Sequence, residues 1–167
     1  MGLLSFIKEA GEKLFSKAEA KTAIAEAQAD PAAEAKAKAA SDAAADAIVT
    51  YIHALDLDAT GLLVTYDAVG GVVTVYGVAP DQATKEKIVL CCGNVAGVVS
   101  VNDMMSVDQS APEARYYTVV SGDNLSKIAK KFYGDPNKYP AIFEANKPML
   151  KHPDKIYPGQ LLRIPPL

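Results

Sequence analysis

Tryptophan is absent from this 167-residue chain, and histidine and cysteine occur only twice each. His53 and His152 stand far from each other and from Cys91 and Cys92, so no cluster with zinc-ligand spacing exists. Both histidines read as ordinary surface residues. The same scarcity leaves almost no material for a Ser-His-Asp or Cys-His centre, so an enzyme has the least support. The acidic residues read as solvated faces. No GxxxxGK[ST] phosphate loop or EF-hand spacing occurs.

Adjacent cysteines rarely meet disulfide geometry, which excludes a stapled scaffold. On a helix they join the stripe Thr84, Ile88, Cys91, Cys92 and Val95, and are expected as buried small hydrophobes in a reducing compartment. No apolar run is long enough for a membrane helix. In Met1-Gly2-Leu3-Leu4-Ser5-Phe6-Ile7-Lys8-Glu9 the charges interrupt the apolar stretch too early for a secretory signal. Phe6 occupies the position where myristoylation requires Ser or Thr. A formal net charge of -3 gives no basic face for nucleic acid. The expectation is a cytoplasmic monomer without a nucleic-acid partner or membrane attachment.

Periodicity divides the chain into five pieces. Residues 1–16 place Leu3, Ile7, Ala10 and Leu14 on one face of an amphipathic helix, with Gly11 inside the pattern. Residues 17–42 are rich in Ala, Lys and Glu and read as a helical spacer, either two exposed pieces or a frayed segment, broken at Asp30-Pro31. Residues 43–108 read αββαβ. Ile48, Ile52 and Leu55 share a helix face, and strands at 64–68 and 72–78 flank the turn Val69-Gly70-Gly71. Asp81 is positioned to cap a second helix, with Thr84 three residues on, and Gly93-Asn94-Val95-Ala96-Gly97 ends it. Val99, Val101, Met105 and Val107 then alternate with polar residues on a last strand, with Asp103 the exception.

Residues 109–115 form a polar, proline-containing linker, after which alanine and valine give way to tyrosine, lysine and proline. Residues 116–167 read βααβ. A strand at 117–120 leads through Ser121-Gly122-Asp123 to a helix with Leu125, Ile128, Ala129 and Phe132 inward, Asp123 as N-cap and Gly134 at its end. A second helix from about Lys138 to Asn146 turns Tyr139, Ile142 and Phe143 inward, and the last strand covers 161–164. The fold class is therefore α+β, two small domains behind an N-terminal amphipathic helix. Each core is marginal for its size, so the interface between them should matter.

Tyr117-Thr118-Val119, Ser121-Gly122-Asp123-Asn124-Leu125, Tyr133-Gly134, Ala145-Asn146 and Ile156-Tyr157-Pro158-Gly159-Gln160 resemble a LysM domain, with Asn124 where Thr is usual. The αββαβ unit, with Gly70-Gly71-Val72-Val73-Thr74-Val75-Tyr76-Gly77 and Val95-Ala96-Gly97-Val98, resembles a BON domain. Together with the N-terminal Lys8-Glu9-Ala10-Gly11-Glu12-Lys13-Leu14 and with Lys147-Pro148-Met149-Leu150, the chain resembles the bacterial cytoplasmic potassium-binding family. That resemblance covers everything except residues 17–42.

The resemblance implies selective binding of a potassium ion, accompanied by compaction of the two domains. It implies a site of backbone carbonyls, with Ile7, Ala10 and Glu12 on one side and Gly93, Val95 and Val98 on the other. The chemistry is compatible: potassium sites use neutral carbonyl oxygens, whereas calcium and magnesium recruit carboxylates. Helix ends supply carbonyls without intrahelical partners, together with partial negative charge. From the residues alone, Gly93 and Gly97 simply end a helix and turn into a strand.

The resemblance also suggests an ion sensor whose closed form an unidentified protein partner reads. The main alternative is an envelope protein binding glycan such as peptidoglycan through the LysM unit. Its groove would lie between 121–125 and 148–156, with Tyr133, Tyr139 and Tyr157 available to stack on sugar, although core packing is the commoner role for tyrosines so placed. A lipid-associated BON protein is a third reading.

Overall fold

The computed structural model describes residues 31–167. The amphipathic pattern of residues 1–16, with Ile7, Ala10 and Glu12, and the first part of the alanine-rich spacer lie outside the described residues.

Helix α1, Pro31–Ala54, starts at the proline after Asp30, where a missing N–H costs nothing because the first turn has no acceptor for it. It runs unbroken through residues 42 and 43, where the sequence suggested a change from spacer to domain. Its C-terminal half turns Ala45, Ile48, Tyr51 and Ile52 into a core, joined by Leu55 just past its end. Three strands follow: β1 Thr60–Asp67, β2 Val72–Asp81 and β3 Ser100–Gln109, with helix α2 Gln82–Gly93 between the last two. β2 is central, antiparallel to β1 and parallel to β3. The order is the expected αββαβ.

Alternation puts Val73, Val75 and Ala79 of β2 and Met105 of β3 against the helices. Asp103 shares the strand parity of Met105 but remains exposed, and Lys85 of α2 meets its carboxylate at 3.1 Å. Val99 departs from the expected stripe: it precedes the strand and is exposed. Asp81 caps α2 as expected, its carboxylate accepting from the Thr84 N–H at 2.7 Å. Cys91 and Cys92 are fully buried, and burial pushes the Cys92 thiol up to about 12 and the Cys91 thiol further in the same direction.

The second unit pairs β4 Arg115–Thr118 with β5 Leu161–Ile164 in antiparallel register, and packs α3 Leu125–Tyr133 and α4 Tyr139–Ala145 against them. A 3-10 turn, Pro136–Lys138, leads into α4, whose bounds agree with the helix expected from about Lys138 to Asn146. Val119, Leu125, Ile128, Ala129, Ile142, Leu150, Leu162 and Ile164 form its core.

The N-cap of α3 is Asn124, not the expected Asp123: the Asn124 side chain accepts from the Lys127 N–H at 2.8 Å. The Asp123 carboxylate is already engaged, accepting from the Val120 N–H at 3.0 Å and the Tyr117 hydroxyl at 2.8 Å. Those two bonds hold its carboxyl below the usual range. Gly134 ends α3 with a left-handed φ of 75°, as expected. Tyr139 and Tyr157 are exposed rather than inward, while Tyr133 is half-buried and donates to the Pro165 carbonyl at 2.6 Å. His53 and His152 are both exposed.

Candidate functional site

Gly93 is the last residue of α2, and Val95 and Val98 lie in the turn that follows it, where the Val95 carbonyl accepts from the Val98 N–H. Main-chain bonds from Asn94 N to Leu90 O at 3.1 Å, Val95 N to Cys92 O at 3.3 Å and Val98 N to Val95 O at 3.2 Å tighten the end of the helix into this turn. Among the described residues, no hydrogen bond reaches the carbonyl oxygens of Gly93 or Val98. Of these, the Gly93 carbonyl is at the negative end of the α2 dipole, while Val98 lies five residues beyond the helix, just before β3. Residues 93–98 contain no carboxylate. No group of three or more His, Cys, Asp or Glu side chains suited to a metal exists among the described residues. Residues 93–98 thus offer a hard, small dication no carboxylate, whereas a large monovalent ion is suited to main-chain oxygen.

Two close approaches fix the turn in place. Gly71, at a φ of 64°, lies so near that a Cβ there would stand 2.7 Å from the Gly97 carbonyl oxygen and 2.8 Å from Val99 Cγ2. Its own carbonyl accepts from the Val99 N–H at 2.7 Å. Gly71→Ala should therefore lower unfolding free energy by about 2–3 kcal/mol, adding a backbone clash to left-handed strain. Gly122, at a φ of 86° with open space around it, isolates the strain. Gly122→Ala should cost only about 1–2 kcal/mol, and urea melts of both variants check the difference.

The second approach comes from the other domain. A Cβ on Gly93 would stand 2.7 Å from Leu161 Cδ2 of β5. Beside it, the Asn94 carboxamide accepts from the Leu161 N–H at 2.8 Å and donates to the Leu161 carbonyl at 3.0 Å and the Leu90 carbonyl at 3.1 Å. Asn146, the C-cap of α4, does the same two residues along β5. It accepts from the Arg163 N–H at 2.8 Å and donates to the Arg163 carbonyl at 2.8 Å and to Ile142 at 2.7 Å. Successive residues of a strand point their polar groups to opposite sides, so the side of β5 away from β4 is satisfied by two asparagine side chains, one from each domain.

The rest of the interface lies along α2. Glu86 is 3% exposed, overturning the expectation that the acidic residues form solvated faces. Its Oε2 meets Arg163 Nε of β5 at 2.6 Å, and its Oε1 accepts from Gln82 Nε2 and the Ala114 N–H, both at 2.8 Å. The Tyr116 hydroxyl donates to the Glu86 main-chain carbonyl at 3.2 Å, and burial, then the nearby carboxylate, raises its pKa so that the proton stays. Met149 and Leu161 of the second unit pack into the core of the first, with the Cys91 thiol donating to Met149 Sδ at 3.3 Å. Sequence reasoning missed Glu86, Asn94, Met149 and Arg163 as contact residues. One signal existed: Gln82, Glu86, Val89 and Gly93 recur at i, i+4, i+7 and i+11, a second stripe facing the second unit.

The chain is similar to known proteins over its whole length. The BON domain model matches residues 41–109 and the LysM domain model residues 117–165. The potassium binding protein Kbp of Escherichia coli O6:H1 is 41% identical over 169 residues, covering 99% of each chain. This chain belongs to the Kbp family. Partial matches are confined to smaller stretches. An uncharacterized protein of Deinococcus radiodurans is 53% identical over 49 residues, 29% of this chain and 19% of its own length. Esterase Rv1288 of Mycobacterium tuberculosis is 42% identical over 64 residues, 37% of this chain and 14% of the esterase. Among the described residues of this Kbp-family chain, no helix is long and apolar enough to cross a membrane.

Proposed function

We infer that this protein binds a potassium ion through main-chain carbonyl oxygens, becomes more compact when it does so, and serves as a cytoplasmic ion sensor rather than an enzyme. The observation that carries the reading is the full-length similarity to a protein named for potassium binding. It is supported by a turn whose Gly93 and Val98 carbonyls accept no hydrogen bond among the described residues. In this reading Gly93, Val95 and Val98 supply oxygens from one side, and Ile7, Ala10 and Glu12 of the N-terminal segment supply them from the other. The selectivity follows from donor chemistry, because neutral carbonyls replace the water shell of a weakly hydrated ion and leave a dication under-compensated.

An ion that binds only the state with both segments in place stabilises that state as RT ln(1 + [L]/Kd), about 2.7 kcal/mol at 100 times Kd. Thermal melts in matched KCl, RbCl and NaCl at equal ionic strength test this. The expected result is a rise in Tm specific to KCl and RbCl, with a smaller radius of gyration by small-angle scattering in KCl. Equal melts in all three salts overturn the reading.

A further inference from the structure

We propose that Asn94 is a positioning residue that makes potassium affinity depend on the docking of the LysM strand β5, so that the second domain regulates the ion site of the first. This deepens, and rests on, the potassium reading above. The geometry is direct. Asn94 lies between Gly93 and Val95, two of the three carbonyl donors proposed on this side. The Gly93 carbonyl lies in the peptide joined to Asn94 and is oriented through the φ of Asn94; the peptide set by its ψ carries the Asn94 carbonyl and the Val95 N–H, and reaches the Val95 carbonyl only through the next pair of angles.

Those angles, -92° and 2°, are held by a side chain with all three of its polar contacts engaged. One contact, to the Leu90 carbonyl, belongs to its own helix. The other two are the N–H and C=O of Leu161, 67 residues further along the chain and in the other domain. With β5 in place the carboxamide is clamped and the turn has one shape. With β5 displaced, the carboxamide loses two of its three partners, and the peptide planes on either side of it are held only by the main-chain bonds from Asn94 N to Leu90 O and from Val95 N to Cys92 O. Gly93 serves the same coupling, since the absence of a side chain lets Leu161 Cδ2 approach the turn directly.

Coupling of this kind is reciprocal: whatever factor docking adds to ion affinity, the ion adds to docking. Two interdomain hydrogen bonds, each with a modest net contribution, correspond to a factor of about ten. In the full chain, Asn94→Ala should therefore weaken KCl binding about tenfold, read by titration at constant ionic strength. Tyr116→Phe removes an interdomain bond at the other end of the interface and should leave the affinity within about twofold. Equal weakening by both variants would mean that docking in general, not Asn94, sets the site, and would overturn the proposal.

A measurement on the unaltered protein covers the case in which Asn94→Ala fails to fold. Exchange of the Leu161 amide hydrogen should slow about tenfold in saturating KCl relative to NaCl. The Ile128 amide, bonded within the LysM unit to the Asn124 carbonyl, should not follow it. A potassium-specific Tm rise without selective slowing at Leu161 overturns the role of Asn94 alone. No potassium-specific response of any kind overturns the potassium reading, and the coupling with it.

Discussion

Arg163→Met should destabilise the full chain by about 3–5 kcal/mol in urea denaturation, the largest effect expected of any single surface-distant charge removal here. The Glu86 and Arg163 side chains are 5% and 9% exposed, so water cannot substitute for the lost guanidinium. Glu86 would keep its bonds from Gln82 and Ala114 but would carry an unpaired charge inside the domain interface. The companion variant separates this cost from simple loss of packing. Adding Glu86→Gln to Arg163→Met removes the stranded charge and should recover much of the loss, because a buried pair exceeds a neutral replacement by little. A single-variant effect below about 1 kcal/mol, as exposed pairs give, would show that the pair is solvated in solution.

Asn146→Ala should cost about 3 kcal/mol, measured as a fall in the urea midpoint at unchanged m-value. Asn146 is 1% exposed, and among the described residues its carboxamide is the partner of the Arg163 N–H and C=O on that side of β5. Alanine would leave both main-chain groups buried without partners, together with a cavity the size of the lost amide. Because Arg163 also carries the interdomain ion pair, the substitutions at 146 and 163 should not be additive. A measured sum equal to the two single effects would mean that β5 stays rigid when either support is removed.

Much of the fold was legible because it is written in local periods. The alternation of Val73, Val75 and Ala79, the stripe through Ile48, Ile52 and Leu55, and the spacing of Asp81 to Thr84 each use residues within one or two turns of each other. The failures share a different cause. Asp123 and Asn124 are adjacent and both able to cap; Tyr117 decides between them by engaging Asp123, and that choice is made in space. Val99 and Tyr139 satisfy a period but lie where the backbone leaves the core.

Glu86 is the clearest case. A carboxylate one turn from a core stripe reads as solvated, and its partner lies 77 residues away in the other domain. Nothing in a single sequence links the two. The glycine-bounded turn at 93–98 was legible as a turn, and its candidate role came from family resemblance. What tied it to β5 was Asn94, a residue that by type alone reads as a helix terminator.

The two asparagine supports along β5 also bear on whether that strand can recruit a second chain. An unpaired strand flank is a template for recruiting another chain, and soluble folds blunt it with charge, proline or a covering element. Here the donors and acceptors of Leu161 and Arg163 are already consumed by carboxamides, so a second molecule finds no ladder to extend on that flank. Separating the domains would strip Asn94 away and expose half of that ladder beside the apolar Leu161 side chain. Undocked molecules would then be the aggregation-prone population, and whatever keeps the halves together would keep the protein dispersed.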